Sequence, residues 1–130
     1  YILFSKRSRV LMVYNGQILA QKGWISSGKW SLPGGGVFHH EKPEIGAVRE
    51  VKEETGIEIS PARLQALGAK ISREAGLITR YYGFAIELNE KLIPTPHFPE
   101  IIECRWLDTE ELNATNATND LLQLLDAFQK

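Results

Sequence analysis

Residues 35–57 read GGVFHHEKPEIGAVREVKEETGI, and within them the stretch Pro43–Thr55 has the pattern of a helix. Proline suits the first helical position, where its missing N–H is no loss, and Gly56 suits the residue just past the end. On a wheel at about 100° per residue, Glu54 falls about 40° to one side of Glu50 and Glu53 about 60° to the other. Gly46 falls about 40° away on the Glu53 side, while Ile45, Ala47, Val48, Val51 and Thr55 take the opposite arc. The expectation is a helix that buries its apolar arc on a sheet and gathers three carboxylates around a glycine on the other. Like charges at this spacing repel, and solvated faces normally interleave lysines. Here the only cation between the glutamates is Lys52, on the far side. Oxygen ligands of this kind suit a hard cation, Mg2+ or Mn2+; a solvated acidic face is the alternative. Glu44 and Glu58 lie outside the cluster and read as surface charges.

Working outward, residues 23–36 (GWISSGKWSLPGGG) are rich in Gly and Ser and read as a loop, with a short strand at about Trp30 to Leu32. Upstream, residues 9–14 and 17–22 read as two strands joined by a tight turn at Asn15-Gly16. Downstream, strands are expected at about residues 67–72 and 77–88, with a turn near Ala75-Gly76. A proline-rich loop follows at 91–99, then a strand at 101–107. Residues 108–111 resemble a capping sequence that starts a short helix. Thr118 or Asn119 caps a final helix whose Leu121, Leu122, Leu124, Leu125 and Phe128 form an apolar face. Neither a repeat nor a linker is visible, so residues 1–130 are expected to form a single domain.

Composition narrows the function classes. The chain has 130 residues, enough for a hydrophobic core without staples, and a net charge of -1. No global basic field exists to hold a nucleic acid polymer or an acidic membrane, which argues against a DNA- or RNA-coating role and leaves open a local basic pocket for one small anion. With one cysteine, Cys104, neither an intramolecular disulfide nor a cysteine-based zinc cluster can form; a buried thiol in a strand is expected. No apolar run approaches the ~20 residues of a membrane span, and no signal peptide opens the chain, so a cytoplasmic protein is expected, as monomer or homodimer. The chain opens on Tyr1 rather than Met, so a preceding N-terminal piece is an open expectation. The sequons at Asn113 and Asn116 read as chance.

Within residues 35–57, Gly35, Glu41, Arg49, Glu50, Val51, Glu53, Glu54, Gly56 and Ile57 stand at the spacing of the Nudix signature: Gly, five residues, Glu, seven residues, Arg-Glu, apolar, any, Glu-Glu, any, Gly, apolar. Agreement at every specified position is too specific for coincidence, since even glycine supplies only about 7% of residues. The chain is thereby similar to the Nudix hydrolases. Outside the box, Trp30-Ser-Leu-Pro-Gly-Gly resembles the usual approach, and Glu103-Cys-Arg-Trp106 a late strand. Two departures are His40, where many relatives carry glycine, and Gly46, where alanine is common. The resemblance implies an α+β fold, a mixed β-sheet sandwiched between helices, with the box as loop, helix and loop.

It also implies metal-dependent hydrolysis of a diphosphate linkage in a nucleoside triphosphate or another nucleoside diphosphate derivative, with Mg2+ or Mn2+ as cofactor. Glu50 and Glu54 are the leading metal ligands, and Glu53 is a third ligand or the general base. The carbonyl of Gly34 is similar in position to one that ligates metal in relatives. Arg49 is expected to pair with a box carboxylate and hold its rotamer, and Glu41 to act as an anchor or outer ligand. Gly35 and Gly56 read as structural. Lys22 and Arg80 are candidate phosphate binders, with surface salt bridges as the alternative. Glu100 and His97 lie in or beside the proline-rich loop, where relatives place a further ligand or base. Trp24, Phe38, Tyr81 and Tyr82 are candidates to stack on a base, or else core. The competing reading is a Nudix-fold module that senses a ligand without turnover; such modules tend to lose a box glutamate, and this chain keeps them all.

Overall fold

The structure, a computed structural model, describes residues 3–24 and 28–130. Asn15 and Gly16 adopt φ of 49° and 80°, the left-handed pair that suits a two-residue hairpin turn. They join β1 (Leu3–Tyr14) to β2 (Gln17–Gly23). β1 begins well before Arg9 because its first half, which lacks a clear alternation, is held by neighbours from elsewhere in the chain. One is β3 (Gly34–Val37), which runs antiparallel to residues 6–9 of β1. The glycine run is therefore strand, not the end of a loop. Glycine is a poor strand former, but here its lack of a side chain permits close approach: a Cβ on Gly34 would meet Ser8 O at 2.1 Å. The strand expected at Trp30 to Leu32 reduces to two isolated bridges, Gln21 with Ser31 and Trp30 with Ala117. Residues 25–27 of the expected loop lie outside the described residues.

The helix α1 (Pro43–Thr55) has the expected bounds, and Gly56 (φ 74°) closes it by donating its N–H to Lys52 O at 2.9 Å. Its buried arc is rotated from the expected one. Gly46, Ala47, Val51 and Thr55 are buried, whereas Ile45 is 46% exposed. β4 (Gln65–Glu74) and β5 (Leu77–Glu87) form a hairpin around Ala75-Gly76, and β6 (Ile101–Asp108) pairs with β2. Residues 108–111 make no cap and only one 3₁₀ turn, Thr109–Glu111. The Asp108 carboxylate instead accepts from Gln17 Nε2 at 3.0 Å. Thr118 caps α2 (Asn119–Gln129), its hydroxyl accepting from Leu121 N at 3.4 Å.

The sheet order is β4-β5-β1-β2-β6, with β3 on the flank of β1. β1 and β5 are parallel and the other pairs antiparallel, so the sheet is mixed. Alternation along β1 sends Val10 and Met12 to one face and Leu11 to the other. The first face packs against Ala47 and Val51 of α1, the second against Leu121 and Leu125 of α2. This is the α+β sandwich the sequence implies. Among the described residues, no helix is long and apolar enough to cross a membrane.

Candidate functional site

Arg49 projects from α1 into the loop that precedes it and spends its donors there. Nε and Nη2 reach Glu41 Oε2 and Oε1 at 2.8 and 3.0 Å, and Nη2 also reaches Gly36 O at 2.8 Å. Nη1 faces Glu50 Oε1 and Glu53 Oε1, both at 3.2 Å, and the guanidinium lies 3.9 Å above the Phe38 ring. A planar fork of five donors is what allows one residue to do this. Hydrogen bonding to Arg49 holds the Glu41 carboxyl below its ordinary range despite burial, and the same contacts hold the Arg49 proton more firmly.

Two glycines make room for this network. A Cβ on Gly35 would lie 2.8 Å from Glu50 Cδ and Oε2. One on Gly46 would lie 2.9 Å from Glu41 Oε1 and 3.1 Å from both methyls of Val37. Gly46 therefore belongs to a packed contact between α1 and the loop, not to an open carboxylate face. The wheel misplaces it because the loop folds back over the first turn of the helix.

Glu50 and Glu54 turn toward the sheet, while Glu53, on the same network, leaves 56% of its side chain exposed. Burial raises the pKa of both Glu50 and Glu54; Arg49 counters this at Glu50, and Gly34 N–H and Gln21 at Glu54. Glu54 has no ion pair among the described residues. Its Oε1 accepts from Gly34 N at 3.0 Å and from Gln21 Nε2 at 2.9 Å. Thus it is the amide of Gly34 that touches the cluster here. Gln21 was invisible in the sequence, where it is one polar residue in a strand; only pairing of β2 beside α1 brings it to Glu54. Its Oε1 is buried without a hydrogen-bond partner, as is Ser8 Oγ, whose residue pairs with Gly35. Among the described residues, no three His, Cys, Asp or Glu side chains converge into a ready-made metal cage.

The other candidates lie apart. Lys22 follows Gln21 and points to the opposite face of the sheet, with Nζ 4.4 Å from the centre of the Trp30 ring. Arg80 is exposed on β5 beside Lys6 of β1, and it makes no ion pair among the described residues. Glu100 is exposed, and its carbonyl accepts from Trp24 N at 3.3 Å. His97 N donates to Glu54 O at 3.0 Å, so the proline-rich loop is tied to the end of α1 by its backbone. Phe38 and Trp24 are each 64% exposed, so neither is core. Cys104, opposite Gln21, is half-buried, and burial pushes its thiol up to about 11.

On the α2 face, β4, β5 and α2 enclose a cavity of about 770 Å³ lined by Arg9, Tyr81, Tyr82, Asn119, Asp120 and Gln123, among others. The size suits a small molecule. Arg9 Nε donates to Asp120 Oδ2 at 3.0 Å, and the Arg9 charge also acts on Glu54. Burial raises the Asp120 pKa, but hydrogen bonds from Thr118 and Arg9 outweigh it and hold the carboxyl low.

Comparison with known proteins agrees with this geometry. Phosphatase NudJ of Escherichia coli is 37% identical over 95 residues, 72% of this chain and 61% of NudJ. The chain thus spans about three-fifths of that relative's length. The crystal structure of a MutT NUDIX hydrolase from Burkholderia pseudomallei superposes with a TM-score of 0.80 at 23% identity, covering 95% of this chain and 97% of that one. The solution structure of the E. coli ORF135 protein does so with a TM-score of 0.77 at 22% identity, covering 98% and 90%. At such identities these structures speak for the fold alone. The family model described as NUDIX domain matches residues 5–128, and the chain belongs to that family.

Proposed function

We propose that the protein hydrolyses a diphosphate linkage in a nucleoside triphosphate or another nucleoside diphosphate derivative, using Mg2+ or Mn2+. The observation that carries this reading is Glu54: a largely buried carboxylate that makes no ion pair among the described residues, one turn from a second, partly buried carboxylate, Glu50. Burying charge without a counter-ion is costly, and a bound cation removes the cost. The donors fit a hard ion, because all are oxygens, and Gln21 Nε2 and Gly34 N hold one oxygen of the Glu54 carboxylate in place.

Glu50, Glu54 and the carbonyl of Gly34 would hold the ion, with Glu53 as a third ligand or as the base that takes a proton from water. When bound, the ion would screen the diphosphate charge and lower the pKa of a coordinated water. Arg49 keeps Glu50 and Glu53 oriented, and Glu41 keeps Arg49 in place. Arg80 and Glu100 stay outside this core as candidate substrate contacts; Lys22 would have to leave Trp30 to become one.

The test is a screen of the purified protein with Mg2+ against nucleoside triphosphates, nucleotide sugars, dinucleoside polyphosphates and simple monophosphate esters. The expected products are two phosphate-bearing fragments, or nucleoside monophosphate and pyrophosphate from a triphosphate. Efficient release of phosphate from a nucleoside monophosphate, with anhydrides left intact, contradicts the proposal.

A further inference from the structure

Gln21 is 4% exposed, yet it carries a full amide into the wall behind Glu54. Its orientation follows from charge. An ionised carboxylate can only accept, so the NH2 end must face Glu54 and the carbonyl end must point away. Nε2 donates to Glu54 Oε1 at 2.9 Å, and Gly34 N donates to the same oxygen at 3.0 Å. Both donors converge on Oε1, and among the described residues no hydrogen bond reaches Oε2. The backbone of Gln21 is itself held twice: it exchanges hydrogen bonds with Ser31 at 2.9 and 2.8 Å, and Ser31 Oγ adds a third at 3.2 Å to the Gln21 carbonyl. A rigid strand residue thus fixes one carboxylate oxygen and leaves the other unencumbered. A buried amide oxygen without a partner is costly, so retention of the amide needs a reason, and its donor end supplies one.

We propose that Gln21 is a positioning residue for the cation: with Gly34 N–H it fixes Glu54 Oε1, so that Oε2 alone is presented to the ion. Outer partners of this kind govern ligand orientation. This inference rests on the metal reading of the carboxylates given above.

The experiment is titration of the whole protein with Mn2+ alone, without substrate, for wild type, Gln21→Met, Glu54→Gln and the double variant. Methionine keeps the volume and removes the hydrogen bond to Glu54. Gln21→Met is expected to weaken Mn2+ binding by about 10–100-fold with metal-free thermal stability kept. In the Glu54→Gln background the same change should add little, because Gln21 acts through Glu54. Unchanged Mn2+ affinity in Gln21→Met, or effects that simply multiply, overturns the role of Gln21 alone. A wild-type protein that binds no Mn2+ overturns the metal reading as well. If Gln21→Met does not fold, the side-chain amide resonances of wild-type Gln21 decide: a shift on adding Mg2+ supports the proposal, and its absence overturns it.

Discussion

Glu41 receives two parallel hydrogen bonds from Arg49, Nε to Oε2 at 2.8 Å and Nη2 to Oε1 at 3.0 Å, across eight residues of loop and helix. Both side chains are largely buried, with 11% and 23% of their surface exposed. This pair locks the loop onto α1 and, through Nη1, steers Glu50 and Glu53. It also has a pH signature. The Glu41 carboxyl is held below its ordinary value of 4.5, so its contribution to stability is full above that pH and is lost as pH falls through the lower folded value. Glu41→Gln is expected to cost about 1–3 kcal/mol at neutral pH, and the gap to wild type should close below about pH 4. Denaturant titrations at several pH values check this; a gap that widens in acid contradicts it.

Gly46→Ala is expected to destabilise, not stabilise. An added methyl would press on Val37 and on Glu41 Oε1, which Arg49 prevents from moving away freely. Overpacking of this kind costs about 1–3 kcal/mol, more than the helix propensity alanine returns. Gly46→Leu should fail to fold or lose most of its stability. Thermal melts decide between this and an open space above the helix.

Activity is expected to vanish with a chelator and to return with Mg2+ or Mn2+, but poorly with Ca2+, which is larger and less demanding in geometry. Rates measured in a metal exchange series test the point. Full turnover with excess chelator would remove the proposed chemistry.

Glu50→Gln and Glu54→Gln should each lower turnover by at least ~100-fold at saturating metal, because each removes a charge and a ligand. Without metal, Glu54→Gln should melt higher than wild type, since burial already disfavours that charge. The advantage should shrink in acid: a raised carboxyl pKa costs stability only as pH rises through it. Near wild-type turnover in either variant would show that residue wrongly assigned.

The two ends of α1, the turns at Asn15-Gly16 and Ala75-Gly76, the final helix and the presence of three glutamates on α1 were all legible in the chain. Each depends on local chemistry: a proline at N1, a left-handed residue in a turn, a period of about 3.6. Which of those glutamates turn inward was not legible. A wheel gives angles but not what covers them, and a glycine such as Gly46 has no side chain whose polarity could mark its side. Only the fold of residues 37–41 over the first turn buries it, which moves the covered arc toward the carboxylates and leaves Ile45 outside. Strand pairing decided the rest. Because successive side chains alternate across a sheet, adjacent residues part company: Gln21 meets Glu54, and Lys22, with the charge that drew attention, stacks on Trp30 on the other face.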